Sequence, residues 1–154
     1  MAPQRVFEHR SFVPASAEAL AAFHEDPRAL SALTPFPIIM QRLRDDRTSL
    51  TDGELAFRLW VGPLPVRWLA RHEPGPTQTG FTDRMVEGPM ATWVHEHIFQ
   101  PEGGGVMLID RITLAHKPGW RGALTRLFFD GLSLRLLFTY RHWRTRRALR
   151  ERSA

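Results

Sequence analysis

The chain has 154 residues, no cysteine and a formal net charge of +5. That length suffices for one domain, residues 1–154, with a substantial core. The lack of cysteine excludes disulfides, thiolate metal ligands and a cysteine nucleophile. No apolar run approaches the roughly 18 residues of a membrane span. The opening residues lead straight into a strand pattern rather than a leader, so a cytoplasmic protein is expected.

Residues 5–13 alternate apolar and polar and predict a strand that Pro14 ends. Ser16 is a natural N-cap for a short helix carrying Leu20, Ala21 and Phe23. Asp26 and Pro27 start a second short helix, with Leu30 and Leu33 as its apolar face. Pro35 and Pro37 then break any helix. Strands are predicted over 38–45, 54–61, 66–73 and 79–87, each bounded by glycine or proline. Two longer ones, 90–100 and 106–116, flank the turn Gly103–Gly104–Gly105. The short connections favour an antiparallel meander with one face to cover.

After Lys117–Pro118–Gly119 the pattern predicts one long helix to the end. Between Leu124 and Phe138 it is apolar around most of its circumference. One side is expected on the sheet, leaving the other for the short helices, a second subunit in a homodimer, or a lipid. Gly131 in its middle hints at a bend or a close contact. Residues 135–152 hold seven arginines against one acid, Glu151, while the rest of the chain is nearly neutral. This arginine-rich half reads first as a solvated helix end that complements the helix dipole. Its sharper reading is peripheral contact with an anionic membrane; nucleic-acid binding is not expected.

Several segments together resemble the START-like SRPBCC superfamily, the helix-grip fold of polyketide cyclase/dehydrase-like and plant allergen-like proteins. They are P-A-S-A-E-x-L-x-A-F-H, L-T-P-F-P, G-P-L-P-V-R-W, F-T-D-R-M-V-E-G-P, W-x-H-E-H-x-F, L-I-D-R-I and L-F-x-Y-R-H. The resemblance spans about the whole chain. It implies an α+β fold: a seven-stranded antiparallel sheet wrapped around a long C-terminal helix, with two short helices after the first strand. It also implies an elongated, mostly apolar cavity between sheet and helix. It implies no single activity, because the superfamily includes carriers, receptors, cyclases and hydrolases.

The candidate chemistry lies on the last strands. His95 and His97 are two apart on a strand and share a face with Trp93 and Phe99. Asp83 is in phase with Phe81 and Met85 on the strand before, and Asp110 with Leu108 and Ile112 on the strand after. If that face looks inward, two imidazoles and two carboxylates converge, and a histidine oriented by an aspartate is a competent acid or base near neutral pH. The structural reading is cross-strand pairing, with Arg84 and Arg111 as partners for the aspartates. His-x-His plus an aspartate is too weak a pattern to imply a metal, and none is expected; nor is any other cofactor. No G-x-S-x-G elbow and no phosphate-binding glycine loop occurs.

The leading expectation is a binder of a small hydrophobic or aromatic molecule. Its apolar wall would come from Phe57, Leu59, Trp68, Phe81, Trp93, Phe99, Leu127, Leu134 and Phe138, with His95, His97 and Asp83 orienting the ligand. The alternatives are an enzyme of the cyclase or dehydratase type using His95 or His97, and an interaction module using the arginine-rich tail.

Overall fold

The computed structural model describes residues 2–154. Strand β1 (Arg5–Val13) is followed by α1 (Ala17–Glu25) and α2 (Ala29–Ala32). Six strands come next: β2 (Ile39–Asp45), β3 (Gly53–Val61), β4 (Leu64–Pro74), β5 (Phe81–Glu87), β6 (Thr92–Glu102) and β7 (Gly105–Ala115). Helices α3 (Gly119–Phe128) and α4 (Gly131–Ser153) complete the chain. The strands form one antiparallel sheet in the order β1-β7-β6-β5-β4-β3-β2. The two short helices thus carry the chain from one edge of the sheet to the other.

Local chemistry sets these boundaries. The Ser16 hydroxyl accepts the Ala19 amide at 3.1 Å and caps α1. Gly103 and Gly104 turn the β6–β7 hairpin with positive φ of 23° and 80°. Register shifts in the β2–β3 and β4–β5 pairs locally disrupt the ladder and help the sheet curve.

The single long helix expected from residue 120 onward is two helices. Asp130 is extended (φ −150°, ψ 162°), and its carboxylate accepts the Gly131 amide at 2.8 Å, capping α4. Gly131 is the first residue of α4 with φ 52°, a left-handed conformation that glycine alone adopts freely. The bend that Gly131 suggested is therefore a full break between two helices of different phase.

The core has two halves along the covered face of the sheet. In one, Val13, Leu20, Phe23, Phe99, Leu108 and Leu149 join β1, α1, β6, β7 and the far end of α4. In the other, Phe57, Trp68, Trp93, Ile112, Leu134 and Phe138 join the central strands to the start of α4. Leu149 lies in the first half, and His142 and Thr145 are also buried. The arginine-rich part of α4 is thus packed structure, and removing residues 141–154 would open the core. Arg147, Arg150 and Arg152 are exposed, so this half of α4 is solvated on one side and packed on the other.

Candidate functional site

Strand periodicity puts Trp93, His95, His97 and Phe99 of β6 on the covered face, beside Leu108, Asp110, Ile112 and Leu114 of β7. In register, Asp83 lies opposite His95, and Asp110 lies opposite His97. The four side chains form a square of alternating carboxylates and imidazoles. Its two hydrogen-bonded edges run diagonally to the strand register: His95 Nε2–H donates to Asp110 Oδ1 at 2.6 Å, and His97 Nε2 is 2.9 Å from Asp83 Oδ2. The other nitrogen of His95 is 3.3 Å from Asp83 Oδ2. His97 Nδ1 is 3.0 Å from Asp110 Oδ1 but off the line of a hydrogen bond, so it stays unpartnered though buried. The second oxygen of Asp110 accepts from His142 Nε2 of α4 at 2.5 Å, and His142 Nδ1 meets the Ser11 hydroxyl of β1.

Burial alone would lower the pKa of His95, but Asp83 and Asp110 together overcome it and raise it to about 9. Burial would likewise raise both aspartates, and the histidines around them hold each below the usual carboxylate range instead. His95 is therefore an imidazolium clasped between two ionised carboxylates. The carboxylate partners expected in the sequence, Arg84 and Arg111, are engaged elsewhere: Arg84 with Glu73 at 3.1 Å and Arg111 with Glu8 at 3.0 Å. Each follows its aspartate by one residue, so it points to the opposite face of the sheet.

This square borders a cavity of about 130 Å³ between the sheet, α1–α2 and the α3–α4 junction. Phe57, Leu59, Trp68, Phe81, Trp93, His95, His97 and Asp83 line it. Phe99, Leu134 and Phe138 are buried in the core behind the wall and do not reach the cavity. Leu127 is 63% exposed on α3 and lies outside; the break before α4 rotates it off the gripping face. Asp110 stands behind the histidines rather than on the wall.

Other lining groups come from elements whose placement only the folded chain reveals. Phe129 follows α3, Leu137 and Arg141 lie on α4, and His24 lies on α1. His24 Nδ1–H donates to the Leu20 carbonyl at 2.8 Å, and its ring is 5.4 Å from that of His97. Burial and the neighbouring His97 push its pKa down to about 3, so it is neutral with Nε2 free to accept. His72, which shares a strand face with Trp68 and Ala70, also lines the cavity and donates to the Leu50 carbonyl at 3.0 Å. Asp83, His95 and His97 each bring one donor atom within 4.8 Å of the others, close enough for a metal ion. Those donors are already engaged with one another, and Asp110 sits behind both imidazoles.

No family model matches the sequence, and no curated protein does. Solved structures match throughout. Norcoclaurine synthase from Thalictrum superposes with a TM-score of 0.70 at 13% identity, over 100% of this chain and 99% of that one. The ZhuI aromatase/cyclase from Streptomyces sp. R1128 gives 0.63 at 15% identity, over 96% and 92%. This chain has the helix-grip fold of these proteins. A nucleoside-diphosphate sugar epimerase from Corynebacterium glutamicum gives 0.67 at 26% identity, over 94% of this chain. This chain spans only 29% of that larger protein.

On the outer side of this helix-grip wall, Trp120, Leu124, Leu127, Leu132 and Leu136 are exposed. The apolar residues around the C-terminal helices therefore divide between a gripping side and a solvent side. Among the described residues no helix is long and apolar enough to cross a membrane.

Protonation links this network to stability. The pKa of His95 is raised on folding, so its contribution is full below about pH 6.5 and is lost as the pH rises through about 9. That shift is worth about 3 kcal/mol. His24 acts in the opposite sense: its pKa is lowered, so its contribution is full above about pH 6.5 and is lost as the pH falls towards 3. Thermal unfolding followed by circular dichroism should show maximal stability at about pH 6–7. Asp110→Asn should lower stability there by about 3 kcal/mol and flatten the alkaline limb. An alkaline limb of unchanged depth in that variant would contradict the assignment.

Proposed function

We propose that this protein binds a small aromatic or apolar molecule in the cavity between its sheet and C-terminal helices. The observation that carries this reading is an aromatic-walled cavity whose one polar side is a fixed, charged network. An engineered protein cavity of about 150 Å³ takes up benzene, so about 130 Å³ suits a ligand of roughly one ring. Phe57, Trp68, Trp93 and Phe129 offer ring faces and edges to it, with Trp68 and Trp93 meeting edge to face at 5.4 Å. His24 Nε2 and His97 Nδ1 are lining imidazole nitrogens without a hydrogen-bond partner, and polar groups at fixed positions are the usual source of orientation in a mostly apolar site. Titrating an apolar aromatic probe should quench Trp68 and Trp93 fluorescence saturably. Ala70→Leu, which puts a larger side chain on the cavity wall, should weaken that binding about tenfold or more. Equal affinity for wild type and variant would place the probe elsewhere.

A second reading, acid–base chemistry on the bound molecule, is favoured by one observation: both imidazoles border the cavity with carboxylates behind them. His97 is the better proton carrier, because His95 is clasped at both nitrogens while His97 Nδ1 has no partner. An aryl ketone in heavy water reports on this through exchange of its α-protons. Proton NMR should show acceleration over buffer that falls ~100-fold in His97→Gln. Exchange at the buffer rate with wild type would remove this reading and leave the binding reading standing.

A further inference from the structure

The charges around the cavity are unevenly satisfied. Two acids line it, Asp26 and Asp83, and both are held. Asp26 pairs with Arg28 at 3.0 Å and Arg152 at 2.8 Å, and Asp83 with the two histidines. Three arginines line it: Arg42, Arg47 and Arg141. Arg47 is 2.7 Å from Asp45, and Arg42 reaches the same carboxylate at 3.7 Å, so two cations share one acid. Arg141 has no ion pair among the described residues. Its Nε–H donates to the Leu33 carbonyl at 3.2 Å, and its guanidinium carbon lies 5.3 Å from the Phe138 ring centroid. Neither terminal nitrogen has a hydrogen-bond partner on the protein among the described residues.

Arg141 is half-buried with no acid beside it; its terminal nitrogens keep some contact with water, and burial pushes its pKa down. The more distant Asp110 and Asp83 offset this only in part. The group that would complete the site is an anion. A guanidinium offers parallel N–H donors whose spacing matches the two oxygens of a carboxylate. Arg141 also sits on the same wall as Leu137, four residues earlier on α4, so an acid held there keeps its apolar body against the cavity lining.

We infer that the ligand is an aromatic or apolar carboxylic acid, with its carboxylate on the free end of the Arg141 guanidinium and its ring packed against the cluster of Trp68, Trp93 and Phe129. The assignment rests on the cavity being a ligand site. It adds the class of ligand, and it makes Arg141 the group that selects acids over neutral isosteres. The positive excess at Arg42 and Arg47 favours the approach of such an anion.

The test compares phenylacetate and 1-naphthylacetate with their primary amides, by calorimetry at pH 7 on the full chain. Wild type should bind each acid at least about tenfold more tightly than its amide. In Arg141→Met, which keeps an apolar stem, the acid-to-amide ratio should fall close to one; Arg141→Lys should retain part of it. A readout that needs no variant is the Arg141 Nε–H resonance, which should shift with the acids and stay in place with the amides. Equal affinities for acid and amide in wild type, or a preference that survives Arg141→Met, would overturn the assignment while leaving the cavity as a binding site. Failure of both acids and both amides to bind would overturn the cavity reading and this assignment together.

Discussion

The carboxylate of Asp110 is bonded to two elements at once. One oxygen takes the His95 proton from β6, and the other takes the His142 contact from α4. Through His142 the connection reaches Ser11 on β1, and through His95 and Asp83 it reaches β5. A buried carboxylate is expensive unless its lone pairs are filled with good geometry, so this group fixes where α4 can lie against the sheet. Apolar packing of Leu134 and Phe138 supplies much of the attraction between helix and sheet. Such packing tolerates sliding and substitution, whereas a hydrogen bond of 2.5 Å does not. The polar network thus sets the register of the grip.

The same network gives the cavity its polarity. Because both aspartates remain ionised, His95 holds its proton, and the wall sets a charged network beside ring faces. His24, whose ring is 5.4 Å from that of His97, is neutral, so it adds an acceptor to the same space. Arg141 belongs to the helix that Asp110 anchors, one residue before His142. A shift of α4 would therefore move the anion-binding group relative to the aromatic wall. Helix placement, cavity electrostatics and ligand class all depend on one buried carboxylate.

The fold and part of the site were legible in the sequence because strand periodicity is a rule of two. It put His95, His97, Trp93 and Phe99 on one face, and Asp83 and Asp110 in phase with their apolar neighbours. Applied to Arg84 and Arg111, the same rule removes them as partners of those aspartates, since each is one residue out of phase. The helices were harder. Apolar residues around most of a circumference hid the division between α3 and α4, although Asp130–Gly131 is a cap followed by a residue suited to positive φ. That division is what places Leu127 in solvent and Leu137 on the cavity. His24 and Arg141 were illegible as site residues because they are far from the β6–β7 pair in sequence. Only the packing of α1 and α4 on the sheet brings them to it.

The most direct test of this account is the protonation of His95 itself. Side-chain nitrogen and proton NMR across pH 5 to 10 reads it without altering the protein. His95 should stay an imidazolium through neutral pH and titrate near 9. Titration near its ordinary value of 6.5 would show that Asp83 and Asp110 do not clasp it, and would remove the anchor on which the helix grip and the cavity's polarity rest.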